Sequence, residues 1–244
     1  MTKLNLLCCC FAFCMIACQQ NKTGDQEGKN ALTTNSETDK RLNAQTVKAI
    51  DLPAGYKIIG EAMGNLDEKE GAEKVIVYDT DRPTDLGTER EMRIYRQEKN
   101  RWVLWHTATK PLLTSESGGT MGDPFENVSI ADKAVVLEHF GGSREKWKYL
   151  YRFRFQNEAW ELIGATVKIG AFCENWEEFD YNLSTGKIVY LKTKDRCNKG
   201  QVVGNDILKR QELVKELDPL PNLDNFYSGE NQVDIFGNGE MFYY

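Results

Sequence analysis

Asp123, His139 and Ser143 are the residue types that hydrolases combine, and Arg144 directly follows the serine. Together they would supply an orienting carboxylate, a histidine base and a nucleophilic hydroxyl. The local pattern argues against catalysis. Ser143 closes a Gly141-Gly142-Ser143 turn and lacks the Gly-x-Ser-x-Gly spacing that forces a nucleophile into a strained elbow. Glycines in such a turn supply positive φ, and the serine caps it. His139 is then a half-buried, hydrogen-bonding residue at a strand end. With only His106 and His139 in the chain, a histidine-rich zinc site is not expected. Zincin, P-loop and dinucleotide spacings do not occur. Asp123, His139, Ser143 and Arg144 are therefore read as a non-catalytic surface site. A hydrolase using His139, Ser143 and Asp123 is the competing expectation.

These residues need elements to hold them, and the hydropathy pattern supplies strands. Tyr56 to Ile59, Lys74 to Tyr78, Met92 to Arg96 and Trp102 to Trp105 form one series. Val128 to Ile130, Ala134 to His139, Tyr149 to Phe155 and Trp160 to Ile163 form a second. From Tyr151 to Phe155 the alternation puts Arg152 and Arg154 on one face and three rings on the other. Short polar turns join the strands, so the spacing predicts a mainly β fold of antiparallel meander sheets, sandwich-like or partly propeller-like. The stretch Arg93 to Trp102 resembles Arg152 to Trp160. Either a duplicated hairpin or shared turn chemistry would produce that. Ile207 to Leu217 contains helix formers, with Ile207, Leu213, Val214 and Leu217 on one helical face and Leu208 off it. Pro219 and Pro221 end this segment, which predicts a short C-terminal helix. Asn222 to Tyr244 is expected to wrap over the core.

The N-terminus reads as an export signal. Lys3 precedes an apolar run from Leu4 to Ile16, and small Ala17 stands before Cys18. That run is shorter than the roughly 20 residues a membrane-spanning helix needs. Met15-Ile16-Ala17-Cys18 resembles the lipobox of bacterial lipoproteins. The resemblance implies cleavage before Cys18, a diacylglyceryl thioether on its sulfur and fatty acylation (palmitate or similar) of the new amino group. Two or more acyl chains give stable membrane attachment. Gln19, rather than Asp, follows the cysteine, which favours the outer over the inner membrane. Residues 1–17 are thus expected to be the signal peptide, 18–50 the lipidated cysteine and a flexible polar tether, and 51–244 one β-rich domain.

Five of the seven cysteines fall within residues 1–18, leaving Cys173 and Cys197. In an exported chain this pair predicts a disulfide. If Asn182 faces Ile188 across the turn that follows Tyr181, the same register sets Cys173 opposite Cys197.

Gly64 to Glu73, just before the strand at Val75, resembles the calcium loop of FG-GAP or integrin-α-type repeats. Asn65, Asp67 and Glu73 match ligand positions there. Lys69 stands where an aspartate ligand belongs and Glu70 where glycine belongs. An ammonium opposes a hard cation, so the loop is expected to keep its turn without the ion, and no cofactor is expected. Gly118 to Ala165 resembles a group of exported bacterial proteins of uncharacterised function through Gly122-Asp123-Pro124-Phe125, His139 to Ser143 and Trp160 to Gly164. With the Gly64 loop, that resemblance spans roughly residues 56–190. It implies a fold and no activity.

Asp and Glu outnumber Lys and Arg 37 to 31, giving a net charge of −6. A surface of that sign does not suit nucleic acid. The expectation is a lipid-anchored cell-envelope protein, facing either the periplasm or the outside. It would act as a non-catalytic binding or structural module for a protein or glycan partner. An acidic inhibitor or protective protein is a further alternative.

Overall fold

The computed structural model describes residues 48–69, 71–239 and 241–244. Four strands, β1 (Lys57–Gly64), β2 (Glu73–Thr84), β3 (Gly87–Glu98) and β4 (Arg101–Ala108), form one sheet in sequence order. Seven more form a second: β5 (Phe125–Ala131), β6 (Ala134–Gly142), β7 (Lys146–Gln156), β8 (Ala159–Gly170), β9 (Asn175–Asn182), β10 (Lys187–Asn198) and β11 (Gln201–Val214). Each strand pairs antiparallel with its chain neighbour, the meander that the sequence predicts. A small ribbon, β12 (Gln232–Asp234) with β13 (Met241–Tyr243), lies in the tail. Two-residue turns close the β5–β6 and β7–β8 hairpins. Asp132-Lys133 and Asn157-Glu158 all have positive φ, the turn geometry whose twist matches that of the strands it joins.

Strand alternation builds one continuous core. Tyr151 and Phe153 of β7 point inward, while Arg152 and Arg154 stand on the opposite face. Val75, Val77, Met92 and Ile94 of the small sheet join Leu137, Phe153, Leu162, Phe179 and Ile188 of the large sheet in a single buried apolar cluster. The sheets meet where β1 crosses β5. A Cβ on Gly60 would lie 2.7 Å from the Phe125 ring, and one on Gly64 would lie 2.9 Å from Ile130. Both glycines are there for close approach rather than for backbone freedom. At the far side, Trp105 of β4 packs edge-on against Phe155 and Trp160 of the β7–β8 hairpin. The tail covers the rest, as expected. Phe226 meets Tyr151 and Phe153, Phe242 stacks on Phe179, and Tyr244 closes on Tyr181.

Three features differ from expectation. The segment read as a C-terminal helix is the strand β11, hydrogen-bonded along β10. Its helix formers carry only a weak local preference, and a helix of that length is marginal alone, whereas the ladder satisfies every second backbone group. Leu208, the residue off the helical face, is the extra residue of a β-bulge: Lys192 faces Lys209 and Thr193 faces Ile207. Of the expected apolar face only Leu213 packs against the core, and Ile207 is 66% exposed.

The β9–β10 register is one residue away from that expected. Asn182 faces Lys187, because its side chain and carbonyl both accept the Thr185 N–H and Gly186, at φ 71°, closes the turn sooner. A straight continuation would set Cys173 opposite Arg196. Cys173 instead adopts φ 64°, leaves the ladder and reaches Cys197 with a Cα–Cα distance of 5.5 Å. The disulfide is therefore present, though by a different route from the register argument.

The two similar hairpins place their tryptophans differently. Trp102 faces Gln97 and joins an outer cluster with Ile76, Tyr78 and Tyr95, whereas Trp160 faces Phe155 and enters the main core. Both close with two-residue turns, but Asn157 and Glu158 both have positive φ, whereas in the other turn Lys99 has positive φ and Asn100 does not. Finally, the end of the expected tether is docked. The Lys48 N–H donates to the Asn100 carbonyl, and Ile50 packs on that outer cluster. The rest of the tether, the signal segment and Cys18 lie outside the described residues.

Candidate functional site

Backbone hydrogen bonds stitch together the two glycine-rich segments that carry Asp123, His139, Ser143 and Arg144. Gly142 N–H donates to Gly118 O at 2.9 Å and Phe140 N–H to Pro124 O at 2.8 Å. The Thr120 hydroxyl donates to Gly142 O at 2.9 Å. Gly141 makes room for the Trp147 indole across the hairpin, where a Cβ would fall 2.3 Å from the ring. These motifs therefore shape a turn cluster, and the four side chains diverge from it.

Asp123 turns toward the other sheet. One carboxylate oxygen accepts the Phe125 N–H at 3.0 Å, and the other pairs with the Arg90 guanidinium. Arg90 is buried and also faces Asp79 at 3.5 Å. His139 lies inside strand β6 and is completely buried, not half-buried at a strand end. Its ring sits between Phe125 and Tyr151, with centroids 6.3 Å and 6.4 Å away. Among the described residues neither ring nitrogen has a hydrogen-bond partner. Burial alone lowers the imidazole to about 4, so it is neutral at physiological pH.

Ser143 is exposed at the tip beyond β6. It lies four residues along the chain from His139, roughly 13 Å at the rise of a strand. Its N–H donates to Glu145 O at 2.9 Å, a turn contact. Arg144 forms an ion pair with Glu174. The structure brings Ser143 and Arg144 to one cleft of about 810 Å³, bordered by Cys173 of the disulfide, Glu174, Glu177 and Lys192. Asp123 and His139 do not line it. Four of the charges there form two ion pairs, Lys192 with Glu177 at 2.6 Å and Arg144 with Glu174, and Glu145 and Lys194 also line the cleft. Among the described residues the Ser143 hydroxyl has no hydrogen-bond partner that would activate it, so the arrangement offers contacts to a ligand rather than a primed nucleophile.

The loop that follows Gly64 is held by the side chain of Arg96. The Arg96 guanidinium donates to Asp67 at 2.7 Å and stands 4.0 Å from Glu73. Its other side covers the Trp105 ring, with 3.7 Å to the centroid. Glu73, almost fully buried, also accepts the Leu66 N–H at 2.7 Å. Asp67 accepts the Lys69 N–H, and Asn65 is exposed. Two of the three candidate ligands thus face a fixed guanidinium. Among the described residues no group of three or more His, Cys, Asp or Glu is arranged to hold a metal. Arg96 escaped the sequence reading because it reaches the loop through strand pairing, opposite Glu73 in the β2–β3 register.

Two further groups carry charge. On the outer face of the small sheet, Glu91 takes hydrogen bonds from Arg82 at 2.9 Å, Arg93 at 2.6 Å and Tyr56 at 3.1 Å. Burial would raise this carboxyl, but the three donors together outweigh it and hold it below its ordinary value. On the outer face of the large sheet, Arg152 and Arg154 line a groove of about 350 Å³. The alternation in β7 had already placed both arginines on one face. What it did not give was the row of partners from β6, β8 and β9.

No protein-family model, curated protein or solved structure matches this chain.

Proposed function

We propose that this is a cell-envelope lipoprotein whose β-rich portion is a non-catalytic binding module, held at the membrane by lipid on Cys18. The observation that carries the non-catalytic part is the state of His139. A general base must come within hydrogen-bond reach of the proton it takes. His139 is sealed between Phe125 and Tyr151 with both nitrogens unpartnered, while Ser143 is exposed beyond the end of its strand. Asp123, the third member of the hydrolase alternative, is committed to Arg90.

The disulfide supports an exported location, because such bonds persist in oxidising compartments. Cross-strand pairs and open clefts on the sheet faces suit recognition of a protein or glycan. The loop at Gly64 is a degenerate relative of the FG-GAP type that Arg96 stabilises in place of an ion.

Exposure of the protein to a fluorophosphonate probe at neutral pH, followed by intact-mass measurement, tests the non-catalytic reading. The expected spectrum shows the unmodified mass. A stoichiometric adduct mapped to Ser143 would mean an activated hydroxyl and would restore the hydrolase.

A further inference from the structure

The geometry points to a carboxylate-binding site on the outer face of the large sheet, built around Arg152 and Arg154 and suited to an acidic sugar. This inference rests on the binding-module reading and names the ligand class for one face of it.

Strand register creates the groove. Val136, Arg152, Gly164 and Asn182 stand side by side across β6, β7, β8 and β9. Gly164 leaves a notch in that row, between the arginine and the asparagine. Arg152 leans over the notch, where a Cβ on Gly164 would stand 3.4 Å from its Cδ and Nη1. Its Nη1 donates to the Thr166 hydroxyl at 3.1 Å, which in turn donates to Asp180 at 2.7 Å. Arg154 stands two residues along the same face of β7 and donates through Nη2 to the Asp132 carbonyl at 3.1 Å. Its Nε is buried without a partner.

The arginines differ from most others in this acidic chain. Arg82, Arg90, Arg93, Arg96, Arg144, Arg196 and Arg210 each pair with a carboxylate. Among the described residues neither Arg152 nor Arg154 does. Arg152 and Arg154 are both half-buried and line the same groove, and each guanidinium is a planar fork of N–H donors that matches a planar carboxylate.

The surroundings narrow the anion. Asp132 and Asp180 border the groove and oppose a dianion such as phosphate more strongly than a single carboxylate. With Asn182 and Ser184, they offer acceptors and donors to hydroxyl groups. A volume of about 350 Å³ lies at the small end of ligand sites, which run from about 300 to 1,000 Å³. One ring carrying a carboxylate and neighbouring hydroxyls, a uronic acid unit, meets these requirements.

Titrations of the full chain in detergent with glucuronate, glucose and inorganic phosphate test the assignment, followed by calorimetry or chemical-shift changes. The expected result is millimolar binding of glucuronate, with neither glucose nor phosphate binding comparably. Arg152→Gln and Arg154→Gln should each weaken glucuronate binding by about tenfold or more, the loss of one charge-assisted hydrogen bond. Gly164→Val fills the notch with a residue that strands favour and should abolish binding while the protein stays folded by circular dichroism.

Equal binding of glucose, or preferential binding of phosphate, overturns the carboxylate assignment. Glucuronate binding that survives Gly164→Val and both arginine changes overturns the location and leaves the binding module standing. Absence of any glucuronate binding overturns the site, whereas failure of the non-catalytic reading would show only in the probe labelling of Ser143.

Discussion

Between pH 7 and pH 4 the protein should lose about 3 kcal/mol more stability than a His139→Leu variant, because the folded state holds this imidazole neutral. Burial lowers the ring from its ordinary 6.5 to about 4. Above 6.5 both folded and unfolded chains carry a neutral ring, and its contribution is at its best. As pH falls from 6.5 toward 4, the unfolded chain takes up the proton first, and the folded state loses ground throughout that window. Below about 4 the loss levels off, since both states are then protonated. Leucine removes the titration. It also removes two buried nitrogens that lack partners, so the variant should be at least as stable as the parent at pH 7. Urea midpoints for the two proteins across this range would measure the difference. Parallel curves would mean that His139 has access to water or to a partner, and the sealed-site account would be wrong.

Phe226→Ala is expected to cost about 3–5 kcal/mol, the usual penalty for deleting a fully buried aromatic ring. Phe226 is completely buried and meets Tyr151 and Phe153 edge-on, with centroids 4.8 Å and 5.6 Å away. It is also the anchor by which the tail reaches the inner face of β7. The cavity would open beneath a segment with little regular structure, so hydrogen exchange should rise first at β12 and β13. Phe172→Ala makes the control: that ring is 68% exposed and should change stability by less than about 0.5 kcal/mol. Denaturant unfolding of the two variants separates these values. Near-equal, small losses would show that the tail is not part of the cooperative core.

The same residues mark what could be read from the chain and what could not. The alternation of Tyr151, Arg152, Phe153 and Arg154 gave the strand and its faces, because period-two patterning follows from the pleat. The aromatic tail was legible as a wrap because Phe226, Phe242 and Tyr244 have no periodic element of their own to bury them. Strand β11 was not legible: Leu213, Val214 and Leu217 fall at helical spacing by coincidence, and a bulge at Leu208 breaks the alternation. The Cys173–Cys197 bond was foreseen from composition, while its backbone route depends on a left-handed residue that composition does not show.

The candidate sites were harder, since their partners are distant in sequence. Arg96 reaches Asp67 and Glu73 only through the β2–β3 register, and Arg90 claims Asp123 from another sheet. The burial of His139 depends on Phe125 and Tyr151 arriving from the strands on either side. Local spacing does not encode these pairings; the assembled sheets do.

Anchoring through Cys18 is the premise that places a binding module at the cell envelope, and mass spectrometry of the chain recovered from membranes tests it most directly. The expected N-terminal fragment begins at Cys18 and carries the diacylglyceryl and amide-linked acyl masses, while a Cys18→Ala variant retains residues 1–17 and no lipid. Wild-type protein that is cleaved elsewhere, or that carries no lipid on Cys18, would contradict the account.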